Sequence, residues 1–180
     1  MATDFDYCPQ NLFEHELIQC SNWLHGGIDG IIIFKTDASI ADYTVLANWT
    51  ALINSGDATR IKNVKGELPS PSVTESENPI GCGTDNVVDG ADYDLSIKDY
   101  NVNAENDESY ASVNGGTFYI AVHLCNEDQL LIIESNVTAV TPQANVPTSK
   151  KEKQFYDTHY KWSADKDFSY IRIDSPAGLF

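Results

Sequence analysis

Basic residues are scarce in this chain. Eleven Lys and Arg stand against 27 Asp and Glu, for a formal net charge of −16. Phosphate contacts need Lys and Arg, so this balance argues against a nucleic-acid-binding surface. It remains compatible with lining a passage through which DNA slides without sticking. Methionine occurs once. The four cysteines, Cys8, Cys20, Cys82 and Cys125, form no CxxC pair, and no ligand pair has finger-like zinc spacing. No apolar run approaches the roughly 18–20 residues that span a bilayer, so no membrane partner is expected. The opening residues 1–6 are acidic where a secretory leader is basic, and the cysteines are therefore expected to be reduced and packed. No Gly-x-Ser-x-Gly, no phosphate loop ending in Gly-Lys and no cysteine in a protease context occurs. Carboxylate pairs are everywhere in so acidic a chain, so they do not point to glycoside hydrolysis. No catalytic motif is left, and the expectation is a non-enzymatic chain with no catalytic, cofactor-binding or metal-binding residues.

What is present favours β-structure. Of 180 residues, nine are Tyr, seven Phe and three Trp, a composition suited to strands. The length predicts one domain, 1–180, with an extended N-terminal arm over about 1–11. Charge is uneven: residues 1–60 carry a net −6, residues 61–148 a net −11, and residues 149–180 a net +1. This is either a solvated acidic surface or a neutral C-terminal segment made to meet an acidic neighbour.

Gly26-Gly27 reads as a tight turn launching the apolar strand 28–35, whose Ile31-Ile32-Ile33-Phe34 suits cover on both faces. Before it, residues 12–20 fit a strand that turns back through 21–27. Leu46, Trp49, Leu52 and Ile53 form one helical stripe, with Asp42 as N-cap and Gly56 as stop, so the flanking helix is placed at about 42–55. Residues 58–67 read as a short strand and turn. Residues 68–80 hold Pro69, Pro71 and Pro79 among Ser, Thr and Glu, and read as a long loop or arm that orders on a neighbouring subunit. Strands follow at 93–98, 117–124, 129–134 (extended by 137–140), 154–162 and 170–173. Residues 103–109 read as a loop, with 110–113 a brief helical or extended piece. The fold class is mainly β: a sandwich or barrel of about seven or more strands with one short helix.

Three groups of residues carry candidate chemistry. The acidic loop 85–94 offers carboxylates around Gly90 to a Ca²⁺ ion, or is a solvated turn that caps the next strand. His123 and Cys125 are two apart on a strand and share a face. They could join Cys8, Cys20, Cys82 or His25 in a zinc site, or be ordinary buried side chains. Trp49 and Trp162 fall at core positions, leaving Trp23 as the one tryptophan open to stacking on a sugar ring. A carbohydrate- or host-binding module would need such an aromatic platform.

An ordered set of short patterns carries a resemblance. It runs through Cys20, Gly26-Gly27-Ile28, the helix with Trp49, residues 64–69 (VKGELP), Asp99-Tyr100-Asn101-Val102, and Asn106 with Tyr110. The hairpin 117–134, Lys161-Trp162, Asp167-Phe168 and Tyr170 complete it. Together these resemble virion structural proteins of tailed bacteriophages, most nearly tail-tube-type or neck/connector ring proteins. The resemblance implies a β-barrel or sandwich subunit that assembles with itself into rings, with loops and arms reaching neighbours. It implies other tail, neck or capsid proteins as partners, DNA only as passing cargo, and localisation in the virion after assembly in the host cytoplasm. A capsid decoration role shares related folds. The long apolar hairpin 117–134 is the edge expected to pair with a neighbouring subunit.

Overall fold

The computed structural model describes residues 27–77, 86–125, 128–140, 144–146, 153–165 and 168–180. The elements are β1 (Ile28–Lys35), α1 (Leu46–Ser55), β2 (Ala58–Glu67), β3 (Ser72–Glu77) and β4 (Asn86–Asp99). After them come α2 (Ala104–Val113), β5 (Thr117–Leu124), β6 (Gln129–Val140), β7 (Ala144–Asn145), β8 (Phe155–Asp165) and β9 (Ile171–Asp174). All strand pairs are antiparallel. Six strands close on themselves in the order β1–β2–β4–β8–β6–β5. The ten-residue register from Gly90↔Asp165 to Asp99↔Tyr156 shuts the barrel. The mainly β expectation therefore resolves as a barrel rather than a two-sheet sandwich.

Strand β1 shows how the sequence builds two cores from one apolar run. Successive strand side chains point to opposite faces. Ile31 and Ile33 point into the barrel against Val64, Leu95, Ile120 and Val122. Ile32 and Phe34 point outward, under α1 and the C-terminal residues Leu179 and Phe180. The barrel is thus filled by side chains and the outer face of β1 is covered. On β8 the expected alternation holds, with Tyr156, Thr158, Tyr160 and Trp162 buried between more exposed neighbours.

Helix α1 stops at Gly56 as expected, with φ 79° and its N–H donating to Leu52 and Ile53 carbonyls. It begins at Leu46, not near 42. The Asp42 carboxylate accepts the N–H and hydroxyl of Thr44 at 2.8 and 2.6 Å, closing a separate turn and leaving the helix without a side-chain cap. Trp49 is fully buried, meets the Phe34 ring edge-on at 5.7 Å, and donates its indole N–H to the Tyr43 carbonyl.

Several expectations are corrected. Residues 72–77 form β3, paired with β4, where a long loop or arm ordering on a neighbouring subunit was expected; Pro69 and Pro71 precede the strand instead of interrupting it. Residues 86–94 of the expected acidic loop are the first part of β4. A second helix, α2, replaces the loop read over 103–109. The Asn103 side chain accepts the Asn106 N–H at 2.9 Å, and Glu105 and Asp107 lie in its first turn, where the helix dipole favours acids. The hairpin of β5 and β6 forms, but it is no free edge: β5 lies between β1 and β6, and β6 also pairs with β8 and β9. Gly27 has no positive φ, and among the described residues nothing lies within 4 Å of where a Cβ would stand, so they impose no steric demand for glycine there. Gly26, the N-terminal arm 1–11 and the strand read before Cys20 lie outside the described residues.

Candidate functional site: two strand edges

Strand β2 outruns its neighbour. Residues 58–62 pair with β1, while pairing with β4 covers only Val64 to Glu67 opposite Asp99 to Ser96. Between the two stretches Asn63 takes φ 59°, in the left-handed region that asparagine tolerates better than most residues. The β1 register also shifts here, between Ile28 and Gly30. Such bulges bend strands at barrel rims. Past the bend β4 has ended, and helix α2 lies across a crevice of about 480 Å³ from the β2 edge. Its floor includes Ile33, Ile61 and Val113; Arg60 and Lys62 stand on one rim and Asn106, Ser109 and Ser112 on the other.

The helix wall is held by a polar network. Asp99, 2% exposed, accepts the backbone N–H and side-chain amide of Asn101, both at 2.8 Å, and the Tyr110 hydroxyl at 2.9 Å. The Tyr156 hydroxyl donates to Asp107 at 2.6 Å, with the Asn103 carbonyl at 3.1 Å, and its ring lies 4.3 Å from that of Tyr110. Burial, with Asp107 behind it, pushes the Tyr156 hydroxyl up to about 12. Burial likewise pushes Tyr110 up, helped by the charges of Tyr160 and Asp99. These phenols stay neutral at ordinary pH; they are braces and not general bases.

The second edge belongs to β3, which ends the strand order and pairs only with β4 among the described strands. Among the described residues strand β4 reaches past β8: Gly90 is the last residue opposite Asp165, and residues 86–89 have only β3 beside them. The β3–β4 hairpin therefore projects from the barrel as a finger, at the end of β4 away from α2. Val73 on it is 51% exposed.

The sequence-derived candidates are dispersed. Within 86–94, Asp92 accepts the Ser163 hydroxyl at 2.5 Å, and Asp94 sits 2.8 Å from His159 Nδ1 and 3.4 Å from Lys161 Nζ. Asp85 lies outside the described residues. His123 is buried, with Nδ1 2.5 Å from Asp29, Nε2 3.1 Å from Asp128, and its ring stacked on Phe180 at 4.5 Å. Cys125 follows β5 and is exposed, not packed as expected. The nearby Asp29 charge pushes its thiol up, away from the thiolate a nucleophile needs. No group of three or more metal-ligating side chains occurs among the described residues. Trp49 and Trp162 are buried as expected; Cys8, Cys20, Trp23, His25 and Cys82 lie outside the described residues. Sequence reasoning marked 68–80 as an arm that reaches a neighbour but missed the strand within it, and it missed the β2 edge altogether. The one available signal was the run of Arg60 and Lys62 in so acidic a chain.

No protein-family model, no curated protein and no solved structure matches this chain.

Proposed function

We propose that the chain is a non-enzymatic structural subunit that assembles with itself, and that its setting is the virion of a tailed phage, in rings of the tail or neck. The observation that carries self-assembly is the projecting β3–β4 finger. A two-stranded hairpin is marginal alone in water, and residues 72–75 have exposed side chains. Such a finger gains its stability by packing on a neighbour. The phage setting rests on the sequence resemblance. The barrel interior is filled by large side chains such as Ile31, Leu95, Tyr160 and Trp162, so a DNA passage would run through the middle of a ring of barrels and not through one barrel. The net charge of −16 suits DNA as passing cargo. A sugar-binding module would have to rely on Trp23 or exposed tyrosines, because Trp49 and Trp162 are buried.

Sedimentation velocity across a concentration series, with negative-stain images at the highest concentration, tests this reading. Closed rings or stacks are expected. A chain that stays monomeric throughout overturns it.

A further inference from the structure

We infer that strand β3 of one copy adds, in the next copy, to the edge of β2 that has no partner among the described residues, so that subunits join head to tail, finger into crevice. This rests on the self-assembly reading and names the contact that reading requires. Backbone N–H and C=O groups away from water need partners. Along residues 58–63, one side of β2 faces β1 and the other faces the crevice, where no backbone or side-chain hydrogen bond reaches it among the described residues. On the α2 wall the crevice is lined by small polar side chains, Ser109 and Ser112 among them, around a space of about 480 Å³. A peptide laid between a strand edge and a helix gains main-chain hydrogen bonds from the strand and side-chain selection from the walls.

The charges fit. Residues 59–63 (TRIKN) carry no acid; Arg60 already donates to the Leu179 carbonyl at 2.5 Å, which leaves Lys62 as the cation at the crevice, whereas β3 (SVTESE) carries Glu75 and Glu77 and no base. The crevice's one carboxylate, Asp99, is already occupied by Tyr110 and Asn101. The acids of α2, Glu105, Asp107 and Glu108, do not line it. The two edges cannot meet within one chain. The middle of β3 pairs near Val88 and the crevice begins beyond Asp99, a separation of roughly 35 Å at strand rise. A contact between two different patches is heterologous, and its repetition closes a ring or continues as a stack.

The test uses the full chain and two variants. Lys62→Glu spoils the crevice and leaves the finger intact; Glu75→Lys with Glu77→Lys spoils the finger and leaves the crevice intact. Wild type is expected to assemble. Each variant alone is expected to sediment as a monomer even about ten-fold above the wild-type midpoint, a loss of about 1.4 kcal/mol or more, with circular dichroism that still shows the folded barrel. Mixing the two variants at equal concentration should restore association, because the intact finger of one meets the intact crevice of the other. If a variant fails to fold, Lys62→Gln and Glu75→Gln replace it. Among residues 58–63, the amides that point away from β1 should exchange fast in the monomeric variants, while those bonded to β1 stay protected. Assembly of either variant at wild-type strength, or a mixture that stays monomeric, overturns the contact. So does protection of the crevice-facing amides in the monomer, which would mean an occupant from within the chain. If wild type assembles and the variants do too, only this contact falls. If wild type itself is monomeric, the self-assembly reading falls with it.

Discussion

Gly66 sits where β1, β2 and β4 meet, and a Cβ there would stand 2.5 Å from Ile97 Cδ1 and 2.9 Å from Ile28 Cβ. Both neighbours are buried in the barrel, Ile97 on the far strand and Ile28 at the strand start, so neither can swing away into solvent. Gly66→Ala should therefore overpack the barrel and cost about 1–3 kcal/mol, read as a lowered denaturant midpoint. Gly27→Val is the matched control: with open space around its Cβ position and no positive φ, it should shift the midpoint little. An equal loss in both variants would show that the Gly66 packing is misassigned. The buried tyrosines give a second residue-scale prediction. The Tyr156 hydroxyl is raised from 10.0 to about 12 by burial and Asp107. A raised folded value means that this contribution to stability is complete below pH 10 and is lost as pH climbs toward 12. Tyr110 and Tyr160 are shifted the same way by burial. The protein should unfold in alkali within that window, and part of the tyrosinate absorbance should appear together with the loss of circular dichroism. Tyrosinate signal that grows smoothly in a still-folded protein would show these rings to be accessible.

Helix α2 is the element that decides whether the crevice exists, and it is held by few groups. The Asn103 cap satisfies one free N–H of its first turn, so Asn103→Ala should cost about 1 kcal/mol. Tyr110→Phe removes the donor to a buried Asp99 oxygen and should cost about 1–3 kcal/mol; thermal melts measure both. If α2 is the crevice wall, each variant should also weaken assembly more than a surface change of equal stability cost. The same weakness explains why α2 was illegible in the sequence. Its residues are mostly Asn, Asp, Glu and Ser, and Tyr110 is its one buried side chain, so no apolar stripe announces it. Strands β1, β5 and β6 and helix α1 were legible because each buries a face whose apolar spacing matches its own period. Strand β3 was hidden for the opposite reason: as an edge it buries nothing, and its Ser, Thr and Glu read as loop. The crevice lies still further from the sequence, because it arises from β2 running past the point where β4 ends, opposite Val64, and from the bend at Asn63. No local pattern encodes the stagger of two strands.

At the scale of the whole molecule, charge and closure pull against each other. Copies carrying −16 each repel over about 10 Å at 0.1 M salt and farther when salt is removed. A ring of them needs short-range contacts, strand addition among them, to overcome that repulsion. In the proposed ring the inner wall would be acidic wherever its lining is not drawn from the few Lys and Arg. DNA binding by counterion release strengthens steeply as salt falls, so low salt is the most demanding condition for a wall meant to let DNA slide. The assembled protein should leave duplex DNA unshifted in a gel at the lowest salt at which it stays assembled. Added salt should change nothing in that lane. A DNA complex that forms at low salt and dissolves as salt rises would mean that the basic residues are gathered on one exposed face. The chain would then be a DNA-holding component, and the passive passage would be wrong even if the rings were right.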